Sequence, residues 1–206
     1  SKWAEELSLA TLQFSKNVLA ATNAYTLHIT DSTDLAGLPE YAKVMGAETA
    51  KEKGLEGWAF TLDYPSYGPF MKYSTVRNLR QDMWTAYNSR ALGGEFDNSD
   101  VVKTIVDLRI KMANILGYET WADYQLEERM AKNRKTVNEF ISQLLEPSME
   151  FALKDVESVF NYAKKNGFED SKLRSRDFSY WSEKHQQAEY SLNAEELKPY
   201  FQLESC

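Results

Sequence analysis

The chain has 206 residues, enough for one sizeable hydrophobic core and for one domain or at most two. With 43% hydrophobic and 27% charged residues it reads as a globular rather than a disordered chain, and a formal charge of −7 without a basic stripe excludes a nucleic-acid partner. No run of eighteen apolar residues offers a transmembrane helix, so no membrane partner is expected, and Lys2-Trp3-Ala4-Glu5-Glu6 does not read as a signal peptide.

Five prolines and nine glycines are few for this length and favour long helices. The first helix is predicted over 4–25, with Leu7, Thr11, Phe14, Val18, Ala21 and Tyr25 on one stripe. Asp31, Ser32 and Thr33 supply capping side chains for a short turn through Leu35, and Gly37-Leu38-Pro39 opens a second helix that ends near Lys53, before Gly54 and Gly57. Trp58-Ala59-Phe60-Thr61-Leu62 is the best strand, and 25–29 is its nearest partner. Asp63-Tyr64-Pro65 is read as a turn whose tyrosines cover the core, followed by a short helix over 67–73 and another over 75–92 with Leu79, Met83, Ala86 and Tyr87 on one side.

After Gly93-Gly94, Asn98 or Ser99 is expected to cap a helix over 100–116 that buries Val101, Ile105, Leu108, Met112 and Ile115. A shorter helix runs over 119–130, and Asn133 caps the longest one, over 135–166. The apolar face of this last helix carries Val137, Phe140, Ile141, Leu144, Leu145, Ala152, Val156, Val159 and Ala163, with Pro147 in its middle, where a kink is expected if the helix is continuous. A polar connection leads to a helix over 181–192, and Asn193 with Glu196 resembles a capping box for a last short helix curtailed by Pro199. The fold class is therefore mainly α, a multi-helix protein with one or two short strands and a long Pro-containing helix.

Candidate chemistry is sparse. The only histidines are His28, read as a packed strand residue, and His185, which shares a solvated helix face with Glu183 and Glu189. His185 and Glu189 at i and i+4 supply two metal-capable groups where a usual catalytic zinc takes three protein ligands. No Gly-x-Ser-x-Gly elbow or phosphate-binding loop occurs, and Cys206, the lone cysteine, is read as inert. Paired acids such as Glu5-Glu6, Glu127-Glu128 and Glu195-Glu196 read as solvated helix positions. Tyr180-Trp181 suits either stacking on a substrate or plugging a core. No catalytic, cofactor-binding or metal-binding residue is assigned within 1–206.

Four stretches carry a resemblance. Arg176-Asp177-Phe178-Ser179-Tyr180-Trp181-Ser182-Glu183-Lys184, with Tyr190-Ser191 and Glu196-Leu197-Lys198-Pro199-Tyr200-Phe201 after it, resembles the segment that precedes the zinc helix of the thimet oligopeptidase and dipeptidyl carboxypeptidase family of metallopeptidases. Phe14 to Ala24, Leu35-Ala36-Gly37-Leu38-Pro39 and Thr61 to Tyr67 are similar to its bacterial dipeptidyl carboxypeptidase branch. The family's His-Glu-x-x-His helix puts two histidines and a general-base Glu on one zinc, and this sequence lacks it, since Ile29 follows His28 and Gln186 follows His185. The resemblance implies that 1–206 is a single helical fragment, the non-catalytic upstream part of a larger zinc peptidase acting on short peptides. It would form part of the wall of a substrate channel, bind no zinc itself and hydrolyse nothing alone. Its partners would be the remainder of the same polypeptide, or a second copy through an exposed docking face. Cytoplasmic and periplasmic placement both fit, and a stand-alone helical interaction domain is the competing reading.

Overall fold

A computed structural model describes residues 2–190. In chain order it contains α1 (Lys2–Ala24), β1 (Leu27–Ile29), a single 3-10 turn (Ser32–Leu35), α2 (Glu40–Glu52), β2 (Trp58–Phe60), α3 (Tyr64–Tyr73), α4 (Arg77–Asn88), α5 (Ser99–Ile115), α6 (Trp121–Leu126), α7 (Arg134–Lys165) and α8 (Ser175–Tyr190). The mainly helical class expected from sequence is therefore observed, as are the two short strands. The Asn193–Glu196 box, Pro199 and Cys206 lie outside the described residues. Two compact units emerge, one built from 2–25 and 86–153, the other from 26–85 and 154–190.

In the first unit α1 packs along α5. The side chain expected to cap α5 is used to join the two helices instead: Asn98 donates to the Phe14 carbonyl at 3.1 Å and accepts from Asn17 at 2.9 Å. The carboxylate of Asp97 takes over the capping, accepting from the amides of Ser99 at 3.1 Å and Gly93 at 3.0 Å. Of the buried apolar residues only Ile105, Leu108 and Ala113 belong to this unit, and Ile115, expected on the same face, is exposed. A reciprocal capping box between Thr120 and Asp123 starts α6, which is shorter than the 119–130 predicted.

Asn133 caps α7 as expected, accepting from the Thr136 amide at 2.9 Å, and the helix runs unbroken through Pro147. Its predicted buried face is corrected. Only Val159 and Ala163 are buried, and every residue from 138 to 158 is exposed.

The second unit holds the main core. β1 and β2 pair antiparallel with Leu27 opposite Phe60, His28 opposite Ala59 and Ile29 opposite Trp58. Alternation along β1 turns Ile29 inward and His28 outward, which corrects the expectation that His28 is packed. Phe60 meets Phe70 of α3 edge-on with ring centres 4.8 Å apart, and both are fully buried. α3 begins three residues earlier than predicted, with Pro65 in its first turn, where the missing amide costs no hydrogen bond. Tyr64 is consequently on the helix and 74% exposed rather than over the core. α8 likewise starts six residues before the predicted Trp181.

Gly37 has φ +85°, and an added Cβ would lie 2.3 Å from the Tyr73 carbonyl and 2.7 Å from Thr75 Cγ2, whereas Gly54 has φ +68° and open space around it. Gly54→Ala is expected to cost only the left-handed strain of about 1–2 kcal/mol. Gly37→Ala should add about 1–3 kcal/mol of overpacking, a difference that paired urea unfolding curves measure directly.

Candidate functional site

The strongest concentration of charge in the described residues is a buried cluster in the second unit, and it centres on Asp177. Arg77 stands at the first position of α4 and Arg80 one turn later; Asp177 lies in the first turn of α8. Arg77 grips the Asp177 carboxylate with both edges, Nε to Oδ1 at 2.9 Å and Nη2 to Oδ2 at 2.8 Å, and also donates to Asp170 at 2.5 Å. Arg80 adds a third donor to Asp177 at 3.3 Å and binds the Ser74 carbonyl at 2.6 Å. The guanidinium of Arg80 lies 4.3 Å from the Tyr180 ring centre, and that of Arg77 lies 5.0 Å from Phe168.

The side chain of Asp177 has no solvent exposure and that of Arg80 only 3%. Burial pushes the Asp177 carboxyl up, but the hydrogen bonds and charge of Arg77, supported by Arg80, outweigh it and hold the pKa below the ordinary value. Burial pushes Arg80 down against the attraction of Asp177, while the bonds to Asp177 and then Asp170 push Arg77 up. Two arginines and two aspartates balance in charge, and the carboxylate stays ionised near neutrality. Such a group neither gives nor takes a proton, so the cluster is a clamp and not an acid–base centre. A shallow cavity of about 270 Å³ lies beside it, lined in part by Gly167, Glu169 and Trp181. The Nε of Arg80 is buried without a partner, a cost the clamp carries.

The sequence-selected residues separate. His28 Nε2 lies 2.6 Å from the Glu56 carbonyl; a carbonyl only accepts, so that nitrogen carries the proton and is unavailable to a metal. His185 is partly covered, with Glu189 at 3.5 Å, Ser158 Oγ at 3.5 Å and the Tyr162 ring at 5.1 Å. Glu183 is not on a solvated face. It is buried, accepts from Tyr73 Oη at 3.3 Å and Gln187 at 3.1 Å, and pairs with Lys72 at 3.4 Å. Tyr180 covers Arg80, and Trp181 packs on Phe168 and Tyr162, while both are half-buried and line the cavity beside the clamp.

Arg77 and Arg80 were missed by sequence reasoning. A signal was present, because Val76, Arg80 and Met83 follow helical spacing and a charged residue on a buried stripe asks for a partner. Asp177 stood just before the helix predicted over 181–192, in a stretch read only for its resemblance. As for zinc, no group of three or more His, Cys, Asp or Glu side chains converges among the described residues, and the His185–Glu189 pair falls short of a ligand set. The described residues do not fit a zinc centre.

Comparison with known proteins gives a consistent result. Residues 70–206 match the model of peptidase family M3. Oligopeptidase A of Haemophilus influenzae is 39% identical over 200 residues, which cover 95% of this chain and 29% of that protein. The probable cytosolic oligopeptidase A of Arabidopsis thaliana is 36% identical over 211 residues, covering 98% and 30% respectively. A dipeptidyl carboxypeptidase of Salmonella typhimurium is 28% identical over 195 residues, covering 93% and 28%. The chain thus spans less than a third of the length of these relatives.

Because the Asp177 pKa is lower in the folded state than in the unfolded one, its stabilisation is fully present above the unfolded value of about 3.9 and is lost as pH falls through the folded value. Asp177→Asn should cost about 3–5 kcal/mol at pH 7, since it leaves the buried Arg80 charge uncompensated. The penalty should shrink below about pH 4, and unfolding curves at pH 7 and pH 3 on both proteins test the pair of expectations.

Proposed function

The chain belongs to peptidase family M3, and from that membership we propose that it is the upstream, non-catalytic part of a zinc-dependent oligopeptidase that hydrolyses short peptides. The observation that carries this reading is a disproportion: the likeness runs over nearly all of this chain yet under a third of each relative. The absence of His-Glu-x-x-His from the sequence agrees with it. The metal ligands and general base belong, in this reading, to the part of an M3 polypeptide that the chain does not span. The helices described above contribute to the wall of a channel that admits unstructured oligopeptides.

Higher identity to the relatives named oligopeptidase A than to the one named dipeptidyl carboxypeptidase supports the oligopeptidase branch, in place of the carboxydipeptidase branch favoured by the sequence wording. The name of the Arabidopsis relative supports a cytoplasmic over a periplasmic placement. No helix of the described residues is long and apolar enough to cross a membrane. A stand-alone interaction domain should cover its apolar faces, and the open stretch of α7 weighs against it.

Purified chain supplied with zinc should leave an internally quenched peptide uncut and bind the metal no better than a lone surface histidine. His28→Ala with His185→Ala should change neither result. Turnover that survives both substitutions, with contaminating peptidases excluded, would contradict the proposal.

A further inference from the structure

An asparagine loses its side-chain ammonia most readily when glycine follows it, because no Cβ obstructs the approach of the next amide nitrogen to the carboxamide carbon. Among the asparagines of this chain only Asn166 precedes a glycine. It stands in the turn directly after α7 and is exposed, and Gly167 has φ +94° with open space around it. Comparable turns end α2 and α5. There the Gly54 amide donates to the Lys51 carbonyl at 3.0 Å and the Gly117 amide to Asn114 at 3.1 Å, each beside a bond from the next residue, Leu55 to Ala50 and Tyr118 to Ala113. After α7 the outer bond forms, Phe168 to the Ala163 carbonyl at 3.0 Å, but the Gly167 amide has no acceptor among the described residues. The nitrogen that must attack is therefore not engaged. One contact opposes the reaction: Asn166 Nδ2 donates to the Tyr162 carbonyl at 2.8 Å, an exposed bond that has to open first.

We propose that Asn166 is a modification site, where spontaneous deamidation turns the carboxamide into a carboxylate and, through its isoaspartate branch, loosens the clamp around Asp177. The Gly167 amide nitrogen gives its proton to hydroxide and bonds to Asn166 Cγ. The bond from Cγ to Nδ2 breaks, and ammonia leaves after taking a proton from water, which restores the hydroxide. Water then opens the succinimide ring at either carbonyl, giving aspartate or isoaspartate. Isoaspartate carries the main chain through Cβ and Cγ, so it lengthens the backbone between 166 and 167. The Phe168 to Ala163 bond spans that point and cannot keep its geometry. Phe168 lies under the Arg77 guanidinium at 5.0 Å and against Trp181 at 5.9 Å. The next residues are tied in as well: Lys164 donates to the Glu169 carbonyl at 3.0 Å, and Arg77 holds the Asp170 carboxylate. A longer main chain at 166 thus shifts the segment that closes over the clamp. The aspartate branch adds charge only, at a helix C-terminus where Lys164 and Lys165 offset its repulsion by the dipole. This chemistry draws on the turn alone and is independent of the peptidase reading.

The test incubates the chain at neutral and at mildly alkaline pH and follows each asparagine by peptide mass mapping over time. Asn166 should convert about tenfold or more faster than any other asparagine, with a rate that rises in proportion to hydroxide. Asn98, followed by Ser99, should stay intact, being buried and bonded to Asn17 and to the Phe14 carbonyl. Conversion in the folded chain should lie within about tenfold of that in an isolated peptide of residues 160–170, since an exposed turn opens at little cost. A carboxyl methyltransferase specific for isoaspartate, supplied with a labelled methyl donor, should label the incubated chain and not the incubated Asn166→Gln variant, whose longer side chain closes the ring poorly. The isoaspartate fraction should unfold at a lower temperature than fresh chain, whereas Asn166→Asp should unfold close to it. Conversion about a hundredfold slower than in the peptide, or first at another asparagine, overturns the site. An isoaspartate fraction with an unchanged thermal midpoint overturns the link to the clamp.

Discussion

A carboxylate with no access to water must be matched by positive charge in place, and in the second unit Asp177 imposes that demand on three segments at once. Arg77 and Arg80 answer it from α4, and Arg77 reaches on to Asp170 in the connection after α7. Through the Ser74 carbonyl, Arg80 also fixes the corner where α3 passes into α4. The angle at which α8 begins is thus set by charge geometry. Apolar packing follows it, with Phe168 and Tyr180 closing over the guanidinium groups. Replacement of such a cluster by hydrophobic residues is often tolerated, but removal of one member is not, because the remaining charge is stranded.

The two units differ in how they are held. In the second, aromatic rings pack on a sheet of only two strands, which could not stand without such support, and the ionic clamp ties α4 to α8. In the first, much of the joining is polar, as in the Asn98 contacts to α1 and the Arg90 bond to Thr22 at 3.2 Å.

Helix periods and caps were legible in the sequence. Asn133 at the start of α7 and Asp31 at the 3-10 turn behave as their side chains require, and the Trp58 strand pairs where its local partner was expected. Periodicity names the apolar face of a helix without saying whether anything lies against it, which is why Phe140 and Leu144 were assigned to a core and are exposed. The ionic clamp was illegible for a different reason. Its members lie about a hundred residues apart, and charge pairing at such separation leaves no local pattern beyond an arginine in phase with Val76 and Met83. Glu183 was misplaced likewise, because its partners Lys72 and Tyr73 come from a distant helix.

That separation also bears on the order in which the chain can fold as it is made. Arg77 and Arg80 leave the ribosome about a hundred residues before Asp177. At roughly 5–20 residues per second the interval is on the order of 5–20 seconds. Helices form in microseconds, so α4 is ready long before its counter-charge exists. Until then, burial of Arg80 is blocked by its own hydration, and the early half of the second unit must wait, open, for the last helix described to arrive.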